Sequence, residues 1–309
     1  MRTAIFAGAA SALALLTPAF PGPAAAAPAN YQAGALAVEQ LGGKGPPLIF
    51  IPGLASGSWT WKADAARLSR LHSVYLVTLP GFDGRKAVPG TTLETLARDL
   101  DELIEDRHLD HPVLIGHSMG GTLALSYAAE HPDRLAGVVA VDGLPVFPGT
   151  ENMTGDRSAL AQGARAQLAN QTPEQFAAYQ QTYMKRVGAI DEAAAGRIAE
   201  LSSRSDPRAV ADFAAQLLLL DLRPKLAGIQ VPVVEISPYY EPDFAATGID
   251  ENGKANYYRM LLGGIGKLDV LSVSPARHFV MFDQPEKFSA TLDRALAKVY
   301  ESQPAGSKQ

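Results

Sequence analysis

A serine set among glycines, Gly116-His117-Ser118-Met119-Gly120-Gly121, directly follows the apolar run Pro112-Val-Leu-Ile115. The run has the composition of a buried strand, and a helical pattern follows from about Gly120 to His131. A G-x-S-x-G at a strand-to-helix turn serves a specific chemistry. The glycines let backbone segments approach closely, so the serine sits at a sharp apex with its hydroxyl exposed. The helix N-terminus beyond it favours the negative charge that develops during acyl transfer. A serine hydroxyl is a weak nucleophile and needs a positioned base. The chain has six histidines, His72, His108, His111, His117, His131 and His278. Only His278 follows a late strand-like run, in Ser274-Pro-Ala-Arg-His-Phe-Val-Met-Phe-Asp-Gln-Pro-Glu286. His117 neighbours the serine, but on a turn its side chain should point away from that of Ser118. The chain contains no cysteine, which excludes disulfides, thiolate zinc sites and a thiol nucleophile.

These segments resemble the α/β-hydrolase superfamily, in particular its lidded, single-domain branch of esterase-, haloperoxidase- and C–C-hydrolase-like members. The resemblance runs from Gly45 to Tyr300. Phe50-Ile-Pro-Gly-Leu54 is similar to the family's loop after the third strand, with Pro52 in place of a common histidine. Pro80-Gly-Phe-Asp-Gly84 is similar to its turn after the fourth strand. The resemblance implies Ser118 as nucleophile, His278 as base, and an oxyanion hole made by the Leu54 and Met119 amides. It implies no metal and no organic cofactor. Trp59 and Trp61 follow the oxyanion loop and, with His117, are placed along the substrate pocket; packing of the following helix is the alternative for the two tryptophans. Haloalkane dehalogenation and epoxide hydrolysis are disfavoured, because such relatives use an Asp at the position of Ser118.

The acid partner has three candidates. The family's usual slot, after the strand aligned with Val231-Pro-Val-Val-Glu-Ile236, holds Glu241, with Asp243 two residues on, yet the usual Gly-x-x-Asp pattern is missing there. A second placement, at the tip of the strand after the nucleophile helix, gives Asp142 at the end of Ala136-Gly-Val-Val-Ala-Val-Asp142. A carboxylate in such a buried place must be hydrogen-bonded, and a histidine would suit it.

These residues need a scaffold that brings distant loops to one edge, and the chain alternates in a way that supplies it. Strands are expected at Pro47–Ile51, Val74–Leu79, Pro112–Ile115, Gly137–Val141, Val231–Ile236 and Leu268–Val273. The first two are solid apolar runs, as in strands buried on both faces. Between Thr92 and His108 apolar residues recur at helical spacing, with Thr91 and Glu94 at capping-box distance. A closing helix is expected over 284–300, with Asp283 as its N-cap. The fold class is therefore α/β, a mostly parallel sheet with helices on both faces. From Phe147 to Lys225 the strand runs stop, and helical stretches separated at Thr172-Pro173, Gly188 and Asp206-Pro207 read as a helical lid of about four helices. Leu217 to Leu220 and the aromatics Phe176, Tyr179 and Tyr183 either face the pocket or join the lid to the core. The expected organisation is a hydrolase core over 27–146 and 226–301, the lid at 147–225, and a polar tail at 302–309.

Residues 1–26 read as a signal peptide: Arg2 as the positive start, Ala4 to Leu16 as the apolar stretch, and Ala24 and Ala26 as the small pair before cleavage. The apolar run is shorter than a membrane span of roughly 20 residues and is broken by Pro18, Pro21 and Pro23. The expectation is an exported enzyme, periplasmic or secreted, with no stable membrane insertion after cleavage. The 309 residues are 47% hydrophobic and carry a net charge of −5. That composition excludes an intrinsically disordered chain, and the absence of a basic cluster argues against a nucleic-acid binder. The expected protein is a monomer or homodimer acting on a small-molecule carboxylic ester, lactone or amide through an acyl-enzyme. Carbon–carbon bond hydrolysis, perhydrolysis, or ligand binding without turnover are the alternatives the same residues allow.

Overall fold

In the computed structural model, residues 29–302 are described. The expected signal peptide, and all of the tail beyond Ser302, lie outside the described residues. Eight strands form one sheet: β1 (Ala29–Ala33), β2 (Leu36–Leu41), β3 (Pro47–Ile51), β4 (Ser73–Thr78), β5 (Val113–His117), β6 (Gly137–Val141), β7 (Val233–Pro238) and β8 (Leu268–Val273). Their order is β1-β2-β4-β3-β5-β6-β7-β8. β1 with β2 and β2 with β4 are antiparallel, and every other pair is parallel. Parallel neighbours need crossovers, and helices supply them on both faces. Along β3, Leu48 and Phe50 enter one core layer while Ile49 and Ile51 enter the other. That is why the strand is apolar without a break.

Between β3 and β4 lies α1 (Lys62–Leu68), between β4 and β5 α2 (Leu93–Asp106), and between β5 and β6 α3 (Met119–Glu130). Helix α2 buries Leu93, Leu96, Ala97, Leu100, Leu103 and Ile104, the stripe its spacing predicts. Its capping box is one residue later than expected. Thr92 and Thr95 cap each other through their hydroxyls, while the Thr91 hydroxyl donates to Val88 O at 2.7 Å. A threonine at the third helical position does here what a glutamate does in the commoner box.

Four helices stand between β6 and β7: α4 (Ser158–Ala169), α5 (Pro173–Tyr183), α6 (Glu192–Ser202) and α7 (Pro207–Leu219). Thr172, Asp191 and Asp206 cap α5, α6 and α7 in turn. Between α5 and α6 the chain makes a π-helical turn over Met184–Gly188. After β7 come α8 (Glu241–Phe244) and α9 (Glu251–Leu261), and after β8 the short α10 (Val280–Asp283) and the closing α11 (Pro285–Glu301). The N-cap of α11 is Gln284, not Asp283. Asp283 instead accepts the Arg277 and Ile190 amides, each at 2.8 Å, so its carboxylate is spent on the loop before the helix. β7 begins at Val233 rather than Val231 because Pro232, having no N–H, delays the ladder.

Candidate active site

The turn after β5 places Ser118 at φ 52° and ψ −120°, a strained conformation of the kind that costs about 1–3 kcal/mol. The surroundings impose it. A Cβ on Gly116 would lie 2.2 Å from the Gly120 carbonyl oxygen, and one on Gly120 would lie 2.4 Å from that of Ile51. The Ser118 amide donates to Val141 O at 2.8 Å, pinning the apex to the tip of β6. One residue beyond that tip is Asp142, also left-handed at φ 50°, a region Asp tolerates better than most residues. Its own amide donates to Ile236 O at 3.0 Å on β7. The loop after β8, the parallel strand beyond β7, brings His278 to the same edge.

His278 Nδ1 donates to Asp142 Oδ2 at 2.6 Å, and the two side chains are 18% and 14% exposed. That bond fixes the tautomer and leaves Nε2 of His278 as the free ring nitrogen. Ser118 and His278 together line two adjoining cavities. Among the described residues, neither the Leu54 nor the Met119 amide donates to a protein acceptor. A close glycine approach explains why Leu54 can be there: a Cβ on Gly53 would lie 2.9 Å from His117 Nδ1 and 3.1 Å from Ser118 Cβ.

Of the acid candidates, the structure brings only Asp142 to His278. Asp243 is engaged by Arg277, whose guanidinium forks onto both its oxygens at 2.8 and 2.6 Å. Glu241 is exposed in the first turn of α8. The tryptophans need correction as pocket residues. Trp61 is fully buried against Phe50 and Phe288, and Trp59 stacks on Phe279; neither lines either of the two cavities at Ser118, because the helical turn that carries them packs under the His278 loop. His117 does line the inner cavity. Its Nε2 donates to the His278 carbonyl at 2.9 Å. Burial and the neighbouring His278 push its pKa down to about 3, so it is a neutral strut for the His278 backbone. Of Phe176, Tyr179 and Tyr183, the two tyrosines line the inner cavity, while Phe176 is buried in the core.

Three residues around Asp142 carried no motif. Tyr258 of α9 donates its hydroxyl to Asp142 Oδ1. Lys254, one turn earlier, donates to Pro238 O and lies with its ammonium 5.6 Å from the centre of the Tyr258 ring. Burial alone would raise the pKa of Asp142, but the Lys254 charge and the His278 and Tyr258 hydrogen bonds outweigh it and hold the carboxyl well below its usual range. Behind it, the fully buried Glu235 of β7 accepts the Gly143 amide at 3.3 Å. Burial and the nearby Asp142 charge push the Glu235 pKa well up. A carboxyl in the middle of an apolar strand run was the one available signal for Glu235. For Tyr258 and Lys254 there was none, since their helix lacks a pronounced apolar stripe.

The alpha/beta hydrolase family matches the chain over residues 48–291, and the chain belongs to that family. Its relatives include the pimeloyl-[acyl-carrier protein] methyl ester esterases of Aeromonas hydrophila, 30% identical over 47% of this chain and 57% of that protein, and of Yersinia enterocolitica, 26% identical over 63% and 74%. The abhydrolase domain-containing protein abhd-5.2 of Caenorhabditis elegans is 35% identical, but over only 31% of this chain and 23% of its own length. Among solved structures, an esterase from Thermogutta terrifontis superposes with a TM-score of 0.72 at 21% identity, covering 89% of this chain and 99% of that one. The enol-lactonase from Burkholderia xenovorans LB400 superposes at 0.71 and 19% identity, covering 87% and 100%. These two likenesses show the shared fold.

Proposed function

We propose that the protein is an exported serine hydrolase that cleaves a small or medium carboxylic ester or lactone through a Ser118-His278-Asp142 triad. One observation carries the reading: the His278–Asp142 hydrogen bond turns a free imidazole nitrogen into the space that Ser118 shares. In the first step Ser118 Oγ attacks the acyl carbon while His278 Nε2 takes its proton. Asp142 holds the imidazole's orientation and stabilises the charge it gains. The Leu54 and Met119 amides receive the oxyanion, and a single such donor is typically worth about 3–4 kcal/mol of barrier. His278 returns the proton to the leaving alcohol, and water activated by the same nitrogen then hydrolyses the acyl-enzyme. The names of the relatives, methyl ester esterases, an esterase and an enol-lactonase, support an O-acyl bond over a carbon–carbon bond. The helical insertion over 147–225 acts as the lid that selects substrates. Export rests on residues 1–26 and is checked by finding the activity outside the cytoplasm with an N-terminus at Ala27.

A fluorophosphonate probe tests the reaction class. Wild type should label covalently and hydrolyse p-nitrophenyl butyrate, and Ser118→Ala should do neither while keeping the wild-type melting temperature. Folded wild-type protein that neither labels nor turns over the ester would sink the reading.

A further inference from the structure

Two chambers meet at Ser118 and His278, and they differ in chemistry. The outer one, of about 300 Å3, is walled mainly by the chain from Leu144 to Pro148 together with Leu217 and Leu220. The inner one, of about 220 Å3, lies between the hydrolase core and the insertion helices, with Leu168, Val210, Ala214 and Leu218 among its walls. Into that apolar wall α5 places Gln180. Its side chain is 3% exposed, its Oε1 is buried with no partner, and no described residue hydrogen-bonds its amide nitrogen. One turn along the same helix Tyr183 lines the chamber too, and its hydroxyl likewise has no hydrogen-bond partner among the described residues. Burial pushes the Tyr183 phenol up to about 12, so it stays neutral and able to donate.

An unpaired buried amide costs stability, and a leucine of similar size would avoid that cost. Its presence makes physical sense where a ligand completes its hydrogen bonds. No lysine or arginine lines the chamber among the described residues, so a carboxylate or phosphate would lose its hydration there without a counter-charge. We infer that the inner chamber is a subsite for an uncharged hydrogen-bonding group, such as a hydroxyl, amide or ester, at the far end of an otherwise apolar acyl chain, with Gln180 as its specificity-determining residue. The inference rests on the ester-hydrolase reading above. The acyl chain runs inward past Leu54, and the leaving alcohol occupies the outer chamber beside His278 and Asp142. Tyr183 stands at the junction of the two chambers, where it borders both.

The test compares p-nitrophenyl 6-hydroxyhexanoate with p-nitrophenyl heptanoate, which exchange a terminal hydroxyl for a methyl at equal length. Wild type should favour the hydroxy ester by about tenfold in kcat/KM, the size expected of one hydrogen bond to an otherwise unpaired buried group. Gln180→Leu should reverse the preference, because a plain alkyl chain then meets a methyl-bearing side chain where the amide stood, and should raise the melting temperature of the free enzyme. Gln180→Met provides a second isostere should the leucine variant fold poorly. Equal rates on the two esters in wild type, or a preference that both variants keep, overturn the subsite while leaving the hydrolase reading intact. Loss of all ester turnover in wild type overturns the hydrolase reading itself.

Discussion

Asp142 illustrates how a single buried carboxylate is held ionised, the state the proposed triad needs. It is largely removed from water, yet His278 and Tyr258 bond to its two oxygens and the Lys254 ammonium lies in the same cluster. A neutral amide in its place would offer His278 an N–H as readily as an oxygen, and the ring could settle in the wrong tautomer. Asp142→Asn is therefore expected to lower kcat by about four orders of magnitude. Asp243→Asn should stay within about tenfold of wild type, since Asp243 serves Arg277. Steady-state kinetics on a p-nitrophenyl ester check both, and a severe loss in the Asp243 variant alone would reverse the assignment. Tyr258 acts through Asp142 and is a positioning residue. Removing its hydroxyl takes away one bond to a charged group, of the order of 1.5–3 kcal/mol. Tyr258→Phe should lower kcat by roughly tenfold or more with KM unchanged, and a kcat equal to wild type would show that Asp142 needs no such support.

At the scale of elements, the seam between β6 and β7 has the more unusual chemistry. Glu235 faces Ala140 across that seam, its Oε2 has no partner, and its pKa is raised by burial and by the Asp142 charge. The folded state therefore keeps a proton that the unfolded chain releases above its ordinary value of about 4.3. Because the folded form binds more protons across that interval, stability falls as pH rises from there toward the folded pKa. Glu235→Gln removes the titration. Its unfolding free energy, from urea titrations at each pH, should draw ahead of wild type as pH is raised from 4 to 8, by at most about 1.4 kcal/mol per pH unit. A constant difference across that range would mean that Glu235 ionises in the fold as it does in solution. The same seam explains part of what sequence could reveal. The runs of β3 through β6 were legible because burial on both faces leaves no Asp, Glu, Lys or Arg in them. The β1–β2 hairpin was not legible: it lies at the sheet edge, and Gln32, Glu39 and Gln40 break its apolar pattern. Helix α9, which delivers Tyr258 and Lys254, starts Glu251-Asn-Gly and buries only Ala255, Tyr258 and Leu261, too few positions to stand out.

For the whole molecule, Ser118 and His278, which line the same two cavities, stand out in the sequence because each has a local setting that no other serine or histidine shares. The acid could not, since two placements fitted the chain order and only the folded contacts separate Asp142 from Asp243. The insertion was legible as helices, but not how firmly it is seated. Its π-helical turn accepts the His278 and Phe279 amides at Val187 O and Gly188 O, at 3.2 and 2.8 Å, and Arg277 donates to Lys185 O at 3.0 Å. Helix α6 buries Ala195 and Ile198 in the core layer that holds α11, whereas α7 sends Val210 and Phe213 into the layer on the other face of the sheet. Phe213 meets Phe82 edge-on with ring centres 5.5 Å apart. An insertion that belongs to both core layers and carries the backbone of the His278 loop has no independent unit to melt. Heating should therefore give one transition. The chain's two tryptophans, Trp59 and Trp61, report the layer beneath His278 by fluorescence, while circular dichroism at 222 nm weights the helices of the insertion. Both signals and the initial rate of ester hydrolysis should fall together within a degree or two. A drop in helical signal and activity well before the tryptophan transition would mean that the insertion detaches as a separate flap, and that its bonds to the His278 loop do not couple it to the core.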